Sequence, residues 1–442
     1  MLAVAVYIIS VSVVYMTHEA TTREFLRPFL CRPNGISLAV GHTQLRQYQR
    51  WIELRSKENY TKIKRNLTQH IYKIHVIEPS IRCDDISVRL YELYNSTVTA
   101  GGSCFRVMSE SFSQRDMCSY VDYFNGTYDV WCPAPPPGCA VVTIQLQYVD
   151  FEAYSEIIVP FNRTLLRREI CPWNSSQRYQ TPRHPNSPVT WVRDGANWTV
   201  TALQPVQRST LHQEKAMCDC IEKTFDKFVM IGASHMRYKF DYLVTTCLGE
   251  SALKHYDIKH GSASIRKRLH FISALRSDDF KPLWNGFLDG LHLTNRSVIL
   301  FQTGCHDLGK PGHGHRLVLT MGLRLDVYVN TLVDMKRRAD TLGFKMVVMT
   351  SPPYPDDGHL SRASRNNHNL AALSRLLQEK MSKHSIYVFD EFAELVVQQD
   401  KIPPVCGIHY ICRLPGQGIL GNVGMIAFQM LMTELCSTSK TR

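Results

Sequence analysis

The run Phe228 to Leu243, FVMIGASHMRYKFDYL, constrains the fold more than any other stretch of the chain. Phe228, Val229, Met230 and Ile231 suit a buried parallel strand, Gly232 and Ala233 are small enough for a tight turn, and the residues after Ser234 can continue as a helix. Ser234 then stands at the end of a strand and the head of a helix. Backbone N–H groups at a helix N-terminus can stabilise the oxyanion formed when a hydroxyl attacks an ester carbonyl, so the position suits a nucleophile. The same residues also fit an ordinary strand, turn and helix with a serine cap.

Beyond Phe228 the pattern alternates. Strands are expected at Phe228 to Ile231, Ser297 to Gln302, Lys345 to Thr350 and Ile386 to Asp390, and helices at Met236 to Thr246, Leu323 to Leu342, Asn366 to Met381 and Leu420 to Leu435. Such alternation implies an α/β domain with a parallel sheet and helices on both faces. Ligands gather at the carboxyl ends of the strands in such sheets, and Ser234, the turn Gly304 to Asp307 and the turn Ser351-Pro352-Pro353 all follow expected strands. The chain has no P-loop, GxGxxG fingerprint, zinc-protease helix or internal repeat.

The N-terminal half reads differently. Residues 2–16 are almost uninterruptedly apolar, which fits either a cleaved signal peptide or a short signal anchor that tethers the chain to a membrane. A basic, polar stem with an amphipathic stretch around Leu45 to Leu54 is expected over residues 22–78. Short alternating segments follow at Ile86 to Tyr94, Ser103 to Ser109, Thr127 to Trp131 and Val141 to Val149, which indicates an antiparallel β-sandwich of immunoglobulin type over residues 79–170. Cys132 and Cys139 flank a proline run and are placed to close a small loop. Residues 171–225 read as linker and lead-in, and residues 226–437 as the α/β domain.

The compartment follows from cysteines and sequons. None of the 14 Cys residues forms a CxxC pair, and eight N-x-Ser/Thr sequons begin at Asn59, Asn66, Asn95, Asn125, Asn162, Asn174, Asn197 and Asn295. Both features indicate disulfides and glycosylation in a secreted, extracellular or Golgi-lumenal chain. The net charge of +12 is spread without a dominant block, and no nucleic-acid signature accompanies it. Nothing in the sequence implies a metal.

A serine acyl-transfer centre needs a base within hydrogen-bond reach of the hydroxyl. The candidate is His409, in the loop Val405 to Tyr410 ahead of the last expected helix. The turn Thr303-Gly304-Cys305-His306-Asp307 offers a glycine amide, a histidine as oxyanion donor and a carboxylate as orienting group. Asp307 equally suits a helix cap, His409 a surface loop, and Cys305 a disulfide.

A Gly-x-Ser after the first strand, a Gly-x-polar turn after a middle strand and a His before the last helix resemble the SGNH hydrolase superfamily. More closely, Pro79 to Cys436 resembles the neurexophilin and PC-esterase domain family, through Gly101 to Val107, Tyr123 to Tyr128, Trp191 and Gly195 to Trp198. The resemblance implies a flavodoxin-like SGNH domain behind an immunoglobulin- or filamin-like module, with Ser234 as nucleophile and His409 as base. It further implies a secretory-pathway O-acetyltransferase or O-acetylesterase acting on glycans or glycoproteins, with no bound cofactor and, for a transferase, an acyl donor such as acetyl-CoA. Two positions depart from the family pattern: Ala233 replaces Asp in Gly-Asp-Ser, and Cys406 replaces the catalytic-acid Asp of Asp-x-x-His. The alternative is therefore a catalytically degenerate secreted or tethered binding protein. Asp307, Asp390, Glu391 and Asp400 are the carboxylates that sequence offers as replacements.

Overall fold

The computed structural model describes residues 41–56, 70–77, 85–95, 97–111, 115–133, 139–154, 163–171, 189–194, 197–202, 210–248, 267–274, 288–302, 317–354, 366–396, 412–414, 418–420 and 422–437. Helix α1 (His42–Ser56) comes first and is followed by β1 (His70–Ile77), β2 (Asp85–Tyr94), β3 (Thr97–Val98), β4 (Cys104–Ser111), β5 (Arg115–Met117), β6 (Ser119–Asp122), β7 (Thr127–Pro133), β8 (Ala140–Tyr148) and β9 (Arg163–Ile170). These strands form two antiparallel sheets, β1-β2-β7-β6 with β3 on β2, and β5-β4-β8-β9. A pleated strand turns every second side chain to one face. Accordingly Ile86, Val88 and Leu90 of β2, Val130 and Cys132 of β7 and Val142, Ile144 and Leu146 of β8 are buried in a single cluster between the sheets.

Strand register also decides the disulfides. Ser119 pairs with Trp131, which brings Cys118 to Cys132, and Ala140 pairs with Ile170, which brings Cys139 to Cys171. The small Cys132–Cys139 loop expected from the sequence is thus corrected, because the ladder gives each cysteine a nearer partner across a strand pair.

A hairpin of β10 (Val189–Asp194) and β11 (Asn197–Ala202) and helix α2 (Thr210–Thr224) occupy the segment expected as linker. The second body then contains β12 (Lys227–Gly232), α3 (Ser234–Leu248), β13 (Leu269–Ser273), β14 (Ser297–Gln302), α4 (Leu317–Leu342), β15 (Lys345–Met349), α5 (Asn367–Ser382), β16 (Tyr387–Phe389), α6 (Glu391–Leu395), the short hairpin β17 (Cys412–Leu414) and β18 (Gly418–Leu420), and α7 (Asn422–Ser437). Its five strands pair in parallel in the order β13-β12-β14-β15-β16. Counted within the domain, this is the flavodoxin-like 2-1-3-4-5 order. Alternate residues serve opposite faces: Val229, Ile231, Ile299, Phe301 and Val348 pack with α4 and α5, while Phe228, Met230, Val298, Leu300 and Val347 pack with α2, α3 and α7. The domain is a doubly wound α/β layer structure. Among the described residues no helix is long and apolar enough to cross a membrane.

Helix α1 lies in the segment expected as a stem, yet it is part of the packed body. Leu45, Tyr48 and Trp51 recur at three-residue spacing, and all three are buried in the cluster that also holds Phe151 and Tyr154 of the β unit and Leu370 and Ala371 of α5. Gly41 adopts φ +98° ahead of α1, and a Cβ there would overlap the carbonyl oxygen of Ala371. Polar contacts complete the junction: Gln47 Nε2 donates to Ser103 O and Asp122 Oδ2, both at 2.9 Å, and Asn366 Nδ2 donates to Ala153 O at 2.7 Å. The His368 ring nitrogen Nε2 meets Gln147 Oε1 at 2.8 Å. The two bodies are docked through a buried, hydrogen-bonded seam.

This packing can be tested at two points. Cys220–Cys436 closes a loop of 216 residues around the parallel sheet, so in the chain-entropy picture Cys220→Ser with Cys436→Ser lowers unfolding free energy by about 5 kcal/mol. An unchanged guanidinium midpoint would contradict it. Burial pushes the His368 imidazole down to about 3 from 6.5; the unfolded chain therefore takes up the proton first, and stability held above pH 6.5 is lost as pH falls from 6.5 toward 3. By pH 5 this amounts to about 2 kcal/mol. Denaturation curves of wild type and His368→Gln at pH 7 and pH 5 should converge by that amount on the acid side, and a constant difference would rule the coupling out.

Candidate active site

The strand order places a topological switch between β12 and β14, because the chain leaves β12 to one side for β13 and returns on the other side for β14. Open parallel sheets bind ligands in the crevice outside the carboxyl ends at such a point. Ser234 stands there as the first residue of α3, two residues beyond the end of β12. It is half-buried, between the buried Ala233 and the buried His235. The helix ladder of α3 opens with Arg237 N donating to Ala233 O at 3.0 Å, so the amides of the first turn lie outside that ladder.

The turn is held by close packing. A Cβ on Gly232 would overlap the backbone carbonyl oxygen of Gln302 at the end of β14 and approach Met236 Cβ to 2.8 Å. Gly232 O also accepts from Ala274 N at 2.9 Å, beyond the end of β13. Three neighbouring strand ends and the head of α3 thus meet around a residue with no room for a side chain. The third expected turn is at the same end of the sheet: Ser351 and Tyr354 are buried, Tyr354 N donates to Asn367 Oδ1 at 2.6 Å and Asn367 Nδ2 donates back to Tyr354 O at 3.0 Å.

The remaining sequence candidates fall outside the described residues. Gly304, His306 and Asp307 follow Gln302 closely in the chain, and Cys406 and His409 precede β17. Between His409 and α7 the structure inserts the β17–β18 hairpin, so the expected loop does not run straight into the last helix. Helix α7 does pack against α3, with Phe428 and Leu431 in the cluster of Phe228 and Leu243 and with Gln429 Nε2 donating to Tyr242 OH at 2.5 Å.

Two of the four replacement carboxylates have other work. Asp390 caps α6, accepting from Ala393 N at 3.3 Å, Thr350 Oγ1 at 3.0 Å and Gln378 Nε2 at 2.5 Å, and burial raises its pKa. Glu391 is paired with the buried Lys239 at 2.8 Å. Asp307 and Asp400 lie outside the described residues. Lys239 and Gln302 escape a reading of the sequence, since a lysine within a helix and a glutamine closing a strand carry no local signal of burial or contact.

Of the expected glycosylation asparagines, Asn95, Asn125 and Asn295 are exposed at turns. Asn197 lies in β11, and Asn59, Asn66, Asn162 and Asn174 lie outside the described residues. Asn295 precedes β14 and is therefore at the amino end of the sheet, opposite Ser234. Cys139, Glu169 and Cys171 bring metal-ligand types together, but the two sulfurs are bonded to each other.

Gly232→Ala should cost about 1–3 kcal/mol, because the obstacle is backbone, and should shift the first turn of α3. Thermal melts with and without a serine probe test this; wild-type stability together with wild-type Ser234 reactivity would show that the turn has slack.

No family model and no curated protein matches the sequence. Parts of the chain are similar to solved bacterial structures. A putative acylhydrolase from Bacteroides fragilis is 13% identical, with 53% of this chain and 99% of that chain covered and a TM-score of 0.33. A GDSL-like lipase from Bacteroides thetaiotaomicron is 12% identical, with 52% and 100% covered and a TM-score of 0.32. An acetylxylan esterase from Geobacillus stearothermophilus is 14% identical, with 47% and 92% covered and a TM-score of 0.28. The α/β class rests on the strand order and pairing of the chain itself.

Proposed function

We propose that this chain is a secretory-pathway acyl-ester enzyme, an O-acetyltransferase or O-acetylesterase acting on glycans, with Ser234 as nucleophile and His409 as base. The observation that carries the reading is the placement of Ser234 at the head of α3 and at the switch point of the sheet. In the reaction, His409 takes the Ser234 hydroxyl proton as Oγ attacks the acyl carbonyl. The resulting oxyanion is met by the helix N-terminus. As the bond from the acyl carbon to the leaving group breaks, carbon–oxygen in an ester and carbon–sulfur in a thioester donor, His409 returns the proton to that oxygen or sulfur and the acyl group stays on Ser234. Water or a sugar hydroxyl then attacks the acyl-serine by the same steps in reverse, giving esterase or transferase chemistry from one centre. The four disulfides among the described residues fit an oxidising compartment. The acetyl group and the glycan acceptor come from the resemblance to PC-esterase proteins.

A second reading has its own support. Ala233 is buried where the family pattern has Asp, Cys406 stands at the catalytic-acid position, and Asp390 and Glu391 are engaged elsewhere. A binding protein built on a retired hydrolase would show these features.

Labelling of the purified glycosylated protein by a fluorophosphonate separates the two. The enzyme reading expects labelling of wild type, none in Ser234→Ala and a fall of about 100-fold or more in His409→Ala. A folded wild type that stays unlabelled under conditions that label an active serine esterase would leave the binding reading.

A further inference from the structure

In the second turn of the helix that Ser234 heads, a closed polar ring ties α3 to the sheet. Lys239, in the second turn of α3, places Nζ 2.8 Å from Glu391 Oε1 and donates to Gln302 Oε1 at 3.0 Å. Gln302 Nε2 donates to Glu391 Oε2 and, at 2.9 Å, to Thr350 O. All three side chains are sealed from solvent, with Lys239 3%, Gln302 2% and Glu391 1% exposed. The members come from four elements: α3, the last residue of β14, the residue after β15 and the first residue of α6 after β16. An ammonium, a carboxylate and an amide thereby tie the helix headed by Ser234 to the carboxyl ends of three strands.

A ring of this kind is a poor source of stability, because desolvation of the two charges offsets most of their attraction, and apolar replacements are often as stable. What hydrogen bonds of defined direction supply, and apolar packing does not, is a single geometry. Gln302 O is also the atom against which Gly232 is packed, so the ring and the glycine hold the same strand end from two sides. Thr350 is clamped in turn, its Oγ1 donating to Asp390 Oδ1 at 3.0 Å and accepting from Phe392 N at 2.9 Å.

We propose that Lys239, Gln302 and Glu391 are positioning residues that set the depth and rotation of the first turn of α3, and with it Ser234, against the end of β14. The inference rests on the reading of Ser234 as a nucleophile. Its test is the pair Lys239→Met with Glu391→Leu in the full chain, which removes both charges together, beside the single variant Gln302→Met. The paired variant is expected to melt within a few degrees of wild type, while its maximal rate of inactivation by a fluorophosphonate falls at least about tenfold with probe affinity unchanged. Amide exchange of residues 237–240 should rise by a similar factor while that of β12 stays the same. A folded paired variant with wild-type inactivation and wild-type exchange overturns the proposal. If wild type does not label, the nucleophile reading fails by itself, and exchange alone decides: faster exchange confined to α3 supports the positioning role, and unchanged exchange removes it. Should the paired variant not fold, Gln302→Met, which keeps the Lys239–Glu391 charge pair and removes only the amide bridge to the end of β14, takes its place: slower inactivation with faster exchange supports the role, and wild-type values of both overturn it.

Discussion

Strand β14 is buried at every position from Ser297 to Gln302, and most of the α/β body is a consequence of that fact. A strand closed to solvent on both faces needs helices above and below; here the crossover helices α3, α4 and α5 supply part of that cover, and α2 and α7 add to it from the two ends of the domain. With β12 on one side and β15 on the other, the chain must wind in both directions from the middle, and a crevice opens where the two windings part. The nucleophile candidate is where it is because the sheet has a centre.

The second organising feature is polar. The seam between the β unit and the α/β body is made of side chains that are costly to bury singly: Gln47, Gln147, Asn366 and His368. Each has a partner across the seam, and Asp122, which accepts from Gln47 Nε2, Gly102 N and Phe124 N, still has its carboxyl pushed up to about 6 by burial. Such a seam admits one arrangement of the two bodies, since sliding by one residue would strand every donor at once. Helix α1 is the piece that makes it continuous.

Periodicity makes the parallel strands and their helices legible: β14 has the boundaries the apolar run predicts, and α4, α5 and α7 begin and end within a few residues of expectation except for the earlier start of α4. Strand β13 escapes the pattern because His270 interrupts a five-residue edge strand whose burial is only partial. Disulfide partners are illegible since those of the β unit follow from ladder register and those of the α/β body from helix packing, neither of which composition reveals. The docking of α1 is hidden for a similar reason: Leu45, Tyr48 and Trp51 announce an amphipathic helix but not the surface that receives it. At the site, Ser234 is visible because strand, small residues and helix are adjacent in sequence, whereas Lys239, Gln302 and Glu391 are brought together only by the winding of the sheet.

The cystine bridges Cys218–Cys247 and Cys220–Cys436 impose an order of events on a chain made from one end. Cys218 and Cys220 are synthesised together, Cys247 follows 29 residues after Cys218, and Cys436 arrives only 216 residues after Cys220. Through that interval two neighbouring thiols compete for Cys247. The wrong choice, Cys220 with Cys247, closes a loop two residues shorter than the right one, so chain proximity does not select the native bridge. Discrimination belongs to α2 and α3 themselves, whose packing decides which sulfur faces Cys247. Cys220 can close its native bridge only once α7 has been made, and that oxidation then records that the last helix has docked.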